Sequence, residues 1–269
     1  MRAPLDPLIR IKGAGEMASA VAWRLYRAHL GRIVMTDLEQ PLCVRRTVSF
    51  CEALIDGMAT VEGVTAQAAR DETDIESIWR QGRIAVMPAS LAHEEAPMPD
   101  ILIDAILAKR NLGTHLADAG LVIGLGPGFT AGIDCHIVIE TNRGHDLGRV
   151  LEHGSAQLNT GVPGDIAGHT RARVLRAPRL GVFRSERSIG DRVAKGETIG
   201  TVEGVPVPAE LDGILRGLIR PGTLVEAGLK IGDIDPRAQA HFCRTISDKA
   251  RAIAGAVLEA VLRHANRPR

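Results

Sequence analysis

Between positions 121 and 146 the chain sets out residue types that chemistry uses. An apolar strand pattern runs into Gly124-Leu-Gly126-Pro127-Gly128-Phe129-Thr130, and a second apolar strand carries Asp134, Cys135, His136, Glu140, Arg143, His145 and Asp146. Glycines without side chains let backbone N–H groups approach an anion, so residues 124–130 are candidate anion binders. Read structurally, the same Gly and Pro residues make a tight turn between two core strands. Cys135 and His136 are adjacent, which on a strand sends them to opposite faces and prevents a direct thiolate–imidazole pair. The thiol, imidazoles and carboxylates have no regular ligand spacing, so no metal site is assigned, and a strand cysteine also reads as ordinary core. His145 and Asp146 follow the strand, where loop residues are available to a ligand.

A second pattern opens the chain. Residues 8–12 alternate apolar and basic and lead into Gly13-Ala14-Gly15-Glu16-Met17-Ala18, after which Met17, Val21, Leu25 and Ala28 fall on one helical face. Residues 32–36 then read as a strand ending at Asp37, with Glu39 close behind. This is the strand, glycine turn, helix, strand and acid of a dinucleotide site. Gly13 would make the turn, Gly15 would admit a pyrophosphate, Ala18 would let the helix pack closely, and Asp37 or Glu39 would take ribose hydroxyls. Glu16 in the first turn works against a phosphate there. A Rossmann-type scaffold with a vacant or reshaped site accounts for the pattern equally well.

Further strands are expected at 83–87 and 100–104, with a helix over 71–81 between them. Asp104 would lie at a strand end, where open α/β sheets bind ligands, followed by Lys109, Arg110 and Asn111 as a basic group for an anionic substrate. Their other reading is a solvated helix end. Arg45 and Arg46 have the same two readings, and the solvated face is preferred.

The elements that position these groups divide the chain. Residues 1–172 are expected to form a Rossmann-like, mostly parallel sheet. In the following part, 181–202 superimposes on 213–234 without a gap: Gly181, Arg184, Gly190, Val193, Gly196, Ile199 and Gly200 recur as Gly213, Arg216, Gly222, Val225, Gly228, Ile231 and Gly232. Two copies point to a two-fold β module over 173–236 rather than a solenoid, and the pattern resembles the barrel-sandwich domain of biotinyl/lipoyl type. No lysine lies between Lys195 and Lys230, so no amine is present at the joining segment to carry biotin or lipoate. The loop 159–165 reads as a linker. Ser247 should cap a last helix within 237–269, with Ala250, Ile253, Val257 and Val261 packing on a domain or a partner.

Composition narrows the classes. Over 269 residues, 33 Lys and Arg face 32 Asp and Glu, so there is no net field to recruit nucleic acid, and one Tyr with two Trp and four Phe offers few stacking platforms. The four cysteines show no Cys-x-x-Cys pair, as expected of reduced cytosolic thiols. Pro4, Asp6 and Pro7 interrupt any leader-like apolar core, and no apolar run is long enough to span a bilayer. A cytoplasmic protein without membrane or nucleic-acid partners is expected.

Several runs together carry a resemblance: Lys12-Gly-Ala-Gly-Glu-Met-Ala, Glu39-Gln-Pro-Leu-Cys-Val-Arg-Arg, Lys109-Arg-Asn-Leu-Gly-Thr, Ile123-Gly-Leu-Gly-Pro-Gly-Phe-Thr-Ala-Gly-Ile-Asp-Cys-His, Asn159-Thr-Gly-Val-Pro-Gly and Asp212-Gly-Ile-Leu-Arg-Gly. They resemble the YqeB family of maturation proteins for selenium-dependent molybdenum hydroxylases, related in setting to the XdhC/CoxI accessory factors. The resemblance implies a cytosolic accessory protein with a Rossmann-like fold, whose partners are a molybdenum hydroxylase and its maturation machinery. The ligand expected on that basis is a phosphorylated small molecule, either a dinucleotide or the molybdenum–pterin cofactor. Gly13, Gly15, Gly126 and Gly128 would face its phosphates, and Cys135, His136 or His145 its sulfur or selenium sphere. An NAD(P)-dependent oxidoreductase, or a scaffold docking the hydroxylase, are the other readings, and a homo-oligomer is compatible with each.

Overall fold

The computed structural model describes residues 5–92 and 97–266, so Pro4 lies outside the described residues. By internal packing the chain forms two units: one from 1–41, 49–159 and 246–269, the other from 42–48 and 160–245.

The first unit begins with β1 (Ile9–Lys12), whose alternate residues Ile9 and Ile11 are buried. Helix α1 (Glu16–Arg27) follows and buries Ala18, Val21, Ala22 and Leu25. Then come β2 (Ile33–Asp37), the short helix α2 (Ala53–Asp56), and a hairpin of β3 (Met58–Val61) and β4 (Val64–Ala68). Helix α3 (Glu72–Arg80) starts where the Asp71 carboxylate accepts hydrogen bonds from the Thr73 and Asp74 amides, satisfying donors that have no intrahelical partner. β5 (Ile84–Pro88), β6 (Ile101–Asp104) and β7 (Leu121–Leu125) complete the sheet interior. All five residues of β7 are buried, as a strand covered on both faces requires. β8 (Thr130–Ala131), β9 (Ile137–Ile139), β10 (Val150–Leu151) and β11 (Gly154–Ser155) are short.

Nine strands join in the order β10-β9-β7-β6-β1-β2-β5-β4-β3. Its interior pairs, from β9 to β4, are parallel, but β3 pairs with β4 and β10 with β9 antiparallel, so both edges run against the interior. β1, β2, β5 and β6 form where apolar runs bounded by turn residues predict them.

The second unit contains β12 (Val174–Arg176), β13 (Gly181–Arg184), β14 (Arg192–Val193), β15 (Thr198–Val202), β16 (Val205–Pro208), β17 (Gly213–Leu218), β18 (Leu224–Val225) and β19 (Lys230–Asp235). They make two four-stranded sheets, β12-β19-β17-β14 and β16-β15-β13-β18, with every pair antiparallel. The duplication is visible as an exchange of short strands. β14 of the first copy pairs with β17 of the second, and β18 of the second pairs with β13 of the first. The core enclosed is Phe183, Ile199, Val202, Leu215, Leu218, Ile231 and Ile234.

These observations correct the expected fold class of a Rossmann-like, mostly parallel sheet with an appended biotinyl/lipoyl-like module. The interior of the first sheet is parallel as expected, but both edge pairs are antiparallel, and the connections β6 to β7 and β7 to β9 contain no α-helix, where doubly wound folds place crossover helices. The second unit is not an appended 173–236 segment, because it draws in 42–48. Arg45 shows why: its guanidinium is buried and donates to the carbonyls of Arg216, Phe242 and Thr245. Arg46 donates to the Leu218 carbonyl, and the Leu218 amide donates to the Val44 carbonyl. The pair read as a solvated face is thus an anchor.

The last element of the first unit is α4 (Asp248–Ala265), capped by Ser247 and burying Ala250, Ile253, Val257 and Val261 against α1 and neighbouring strands. No helix among the described residues is long and apolar enough to cross a membrane.

Candidate functional site

The C-terminal ends of β1, β6 and β7 lie side by side, and both glycine turns rise from this edge. Gly13 adopts φ +94°, and a Cβ there would stand 3.0 Å from the Ala105 carbonyl oxygen. The Ala14 amide of the same turn donates to Asp37 Oδ2 at 2.6 Å, and the Leu38 amide donates to Asp37 Oδ1 at 2.8 Å. Burial pushes the Asp37 carboxyl up from its ordinary range, and these two amides oppose that shift. The acid expected to take ribose hydroxyls therefore binds its own glycine turn. Glu16 accepts a hydrogen bond from Ser247 at 2.9 Å, while Glu39, exposed, accepts from Ser90 at 2.8 Å. Met17 is half-buried and Ala18 is buried in α1.

The second turn is packed in the same way. A Cβ on Gly124 would run into the Phe129 ring, one on Gly126 into Thr141 Oγ1, and one on Gly128 would lie 2.6 Å from the Arg110 backbone. Pro127 is half-buried, and the Thr130 amide donates to Asp134 Oδ2 at 2.8 Å. Ala105 and Arg110 belong to one segment, the chain leaving β6, which runs against both turns. At Gly13, Gly126 and Gly128 the missing side chain admits neighbouring parts of the chain, Ala105, Thr141 and Arg110. Of these glycines, Gly15 alone has open space at its Cβ position.

A polar network lies at the same edge. Lys12 Nζ donates to Thr114 Oγ1 at 2.8 Å, and Thr114 passes its own hydroxyl hydrogen to Asp104 Oδ2 at 2.7 Å. Asp118 stands 3.5 Å from the same ammonium. Asn111 ties the loop together: Oδ1 accepts from the Gly113 and Thr114 amides, and Nδ2 donates to the Thr114 carbonyl and to Asp134. Lys109 and Arg110 are exposed on this loop, in which Leu107 and Lys109 adopt φ +60° and +64°. Sequence reasoning found Asp104, Lys109, Arg110, Asn111 and Asp134 but missed Lys12, Thr114 and Asp118. Lys12 ends β1, a position that signals a group at the ligand edge; the other two depend on a loop path that spacing does not reveal.

The remaining expected site residues are dispersed. Cys135 is fully buried, and desolvation raises its thiol to about 11, with Asp134 contributing. It is a core thiol rather than a nucleophile. We expect iodoacetamide to leave Cys135 unmodified in the native protein at neutral pH and to label it after denaturation, as read by peptide mass spectrometry; rapid native labelling would contradict its burial. His136 sits at the start of β9, at the opposite end of the parallel strands, with Nδ1 accepting from the Val122 amide at 2.9 Å. Arg143 makes a two-pronged ion pair with Asp248, and Asp146 accepts from Arg149 and Gln157. His145 is exposed. Among the described residues, no three His, Cys, Asp or Glu side chains gather to hold a metal ion.

Comparison with known proteins places the chain. It is 50% identical over 258 residues, 95% of its length, to YqeB of Escherichia coli (strain K12). The chain is homologous to YqeB over this stretch. It spans 47% of that relative's length. The name YqeB states no activity, so kinship says nothing of XdhC, selenium or molybdenum hydroxylases. No protein-family model matches this YqeB homologue. Solved structures that match include a succinylglutamate desuccinylase/aspartoacylase of Rhodobacter sphaeroides, 25% identical, covering 32% of this chain and 30% of that one, with a TM-score of 0.22. Another is an aspartoacylase family protein of Mesorhizobium loti, 15% identical with 87% of each chain covered and a TM-score of 0.26. A third is the ectoine utilization protein EutE of Ruegeria pomeroyi, 11% identical, covering 84% of this chain and 56% of that one, at 0.24.

The expectation of a maturation factor for selenium-dependent molybdenum hydroxylases is withdrawn, because the relative that this chain matches carries a name that states no such role.

Proposed function

We propose that the first unit of this YqeB homologue recognises a small anionic molecule at the C-terminal edge of its sheet, through the Lys109 and Arg110 side chains. The observation that carries this reading is the loop that holds them. Two non-glycine residues there, Leu107 and Lys109, sit in the left-handed region, which L-residues adopt only when their surroundings impose it. Asn111 fixes the loop with four hydrogen bonds immediately beyond the cations. The nearby acids have internal partners: Asp104 is bonded to Thr114 and the Ile106 amide, Asp118 faces Lys12, and Asp134 accepts from Thr130 and Asn111. A guanidinium and an ammonium displayed on a fixed backbone suit a carboxylate or phosphate, because only the side-chain rotamers, and not the loop, remain to be ordered on binding.

Isothermal titration with inorganic phosphate, pyrophosphate and succinate tests this reading. The double variant Lys109→Ala/Arg110→Ala should weaken binding at least about tenfold, the loss of one charge-assisted contact. Binding to the wild-type protein should also weaken as salt is raised. Equal affinity in the double variant, or no anion bound by the wild type, would end the proposal.

A further inference from the structure

At the opposite end of the parallel strands the first unit contains a cavity of about 440 Å³ that none of the foregoing uses. Its floor is the start of β7 and β9, at Leu121 and Ile137, and its walls are the last turns of α4 and the chain leaving β10. Three imidazoles line it, His136, His153 and His264, together with Arg263 and Glu152. Each comes from a different route through the chain: His136 precedes β9, His153 follows β10, and Arg263 and His264 close α4.

The chemistry of this lining is that of hydrogen-bond donors. The Nδ1 of His136 accepts from the Val122 amide, and the His136 amide donates to the Val122 carbonyl, so the ring is clamped to β7. With Nδ1 used as an acceptor, the proton of the neutral ring belongs on Nε2. Arg263 pairs with Glu152 at 2.9 Å and reaches Glu259 at 3.4 Å, so the one carboxylate in the lining already has a cation. Arg263 also stands on the last turn of α4. The open carbonyls there favour a cation, which steadies the guanidinium at the cavity wall. The same imidazoles do not form a metal-binding group.

We infer that this cleft is a second binding site, for a small oxyanion, held by Arg263 and the imidazoles of His153 and His264 above the clamped His136. The volume lies within the range of small-molecule sites, and an oxyanion supplies acceptors that Glu152 alone cannot offer to so many donors. The site is separate from the edge that carries Lys109 and Arg110, at the other end of the same strands, and stands or falls independently of it.

The experiment is a phosphate titration followed by amide chemical shifts, with succinate as the second arm, on the full chain carrying Lys109→Ala/Arg110→Ala so that the first site is silent. Saturable shifts at Gly120, Ile137 and His153 are expected, because these residues line the cavity. Adding Arg263→Gln, or separately His153→Ala/His264→Ala, should reduce the affinity at least about tenfold while leaving the rest of the spectrum in place. Phosphate acting without succinate would assign the site to phosphates; equal action would assign it to oxyanions generally. Non-saturating shifts spread over the surface, or saturable shifts unaffected by both sets of substitutions, would overturn the inference.

Discussion

Asp233→Asn is expected to destabilise the second unit by about 3–5 kcal/mol, the cost of leaving buried charges without their counter-ion. Asp233 is fully buried on β19, where Arg173 and Arg216 both donate to its carboxylate and Lys230 lies 3.5 Å away. Asp235, two residues on and on the same face, takes Arg237 at 2.7 Å and Arg216 at 3.3 Å. Burial alone would raise the Asp233 carboxyl, but Lys230, Arg216 and Arg173 outweigh it and hold the group below its ordinary range. The sign for stability follows: a depressed folded-state pKa gives stabilisation that is complete above the unfolded value, near 4, and is lost as pH falls through the folded value. Urea denaturation at a series of pH values should therefore show wild-type stability declining in acid. The Asn variant should start lower and decline less. An Asn variant as stable as wild type at neutral pH would show that the cluster contributes packing and no net charge pairing.

Asp233 carries no signal in the sequence beyond lying within the duplicated stretch. The duplication predicts where β13 and β17, and β15 and β19, begin and turn, because glycines and apolar residues recur at matched positions. It does not predict that Arg216 in one copy and Arg173 before the other would meet over a single carboxylate, since that depends on which sheet each strand enters. The first unit shows the same division. The run from β1 through α1 to Asp37 was legible because periodicity and turn chemistry are local. The antiparallel edges and the capture of 42–48 by the second unit were not, because Arg45 finds its three carbonyls at positions far along the chain. At the candidate site the sequence leaves two roles open, because a glycine that admits a phosphate and a glycine that admits another stretch of backbone are identical in sequence.

Gly128→Ala separates those two roles. A Cβ at this position meets the Arg110 Cα and N at 2.6 Å, and the residue adopts φ +109°, which an L-residue rarely does. Left-handed strain of about 1–3 kcal/mol and overpacking of about 1–3 kcal/mol together give an expected loss of about 2–6 kcal/mol. Gly132→Ala is the control. Gly132 has φ +86° but nothing within 4 Å of its Cβ position, so only the conformational term of about 1–3 kcal/mol applies. Denaturant midpoints measured on both variants should place Gly128→Ala clearly below Gly132→Ala. Because the Arg110 backbone must move to admit the methyl group, Gly128→Ala should also weaken the anion binding proposed for Lys109 and Arg110, whereas Gly132→Ala should not. A Gly128→Ala protein as stable as the Gly132→Ala protein would mean that the loop does not press on this turn, and the turn would again be open to a ligand.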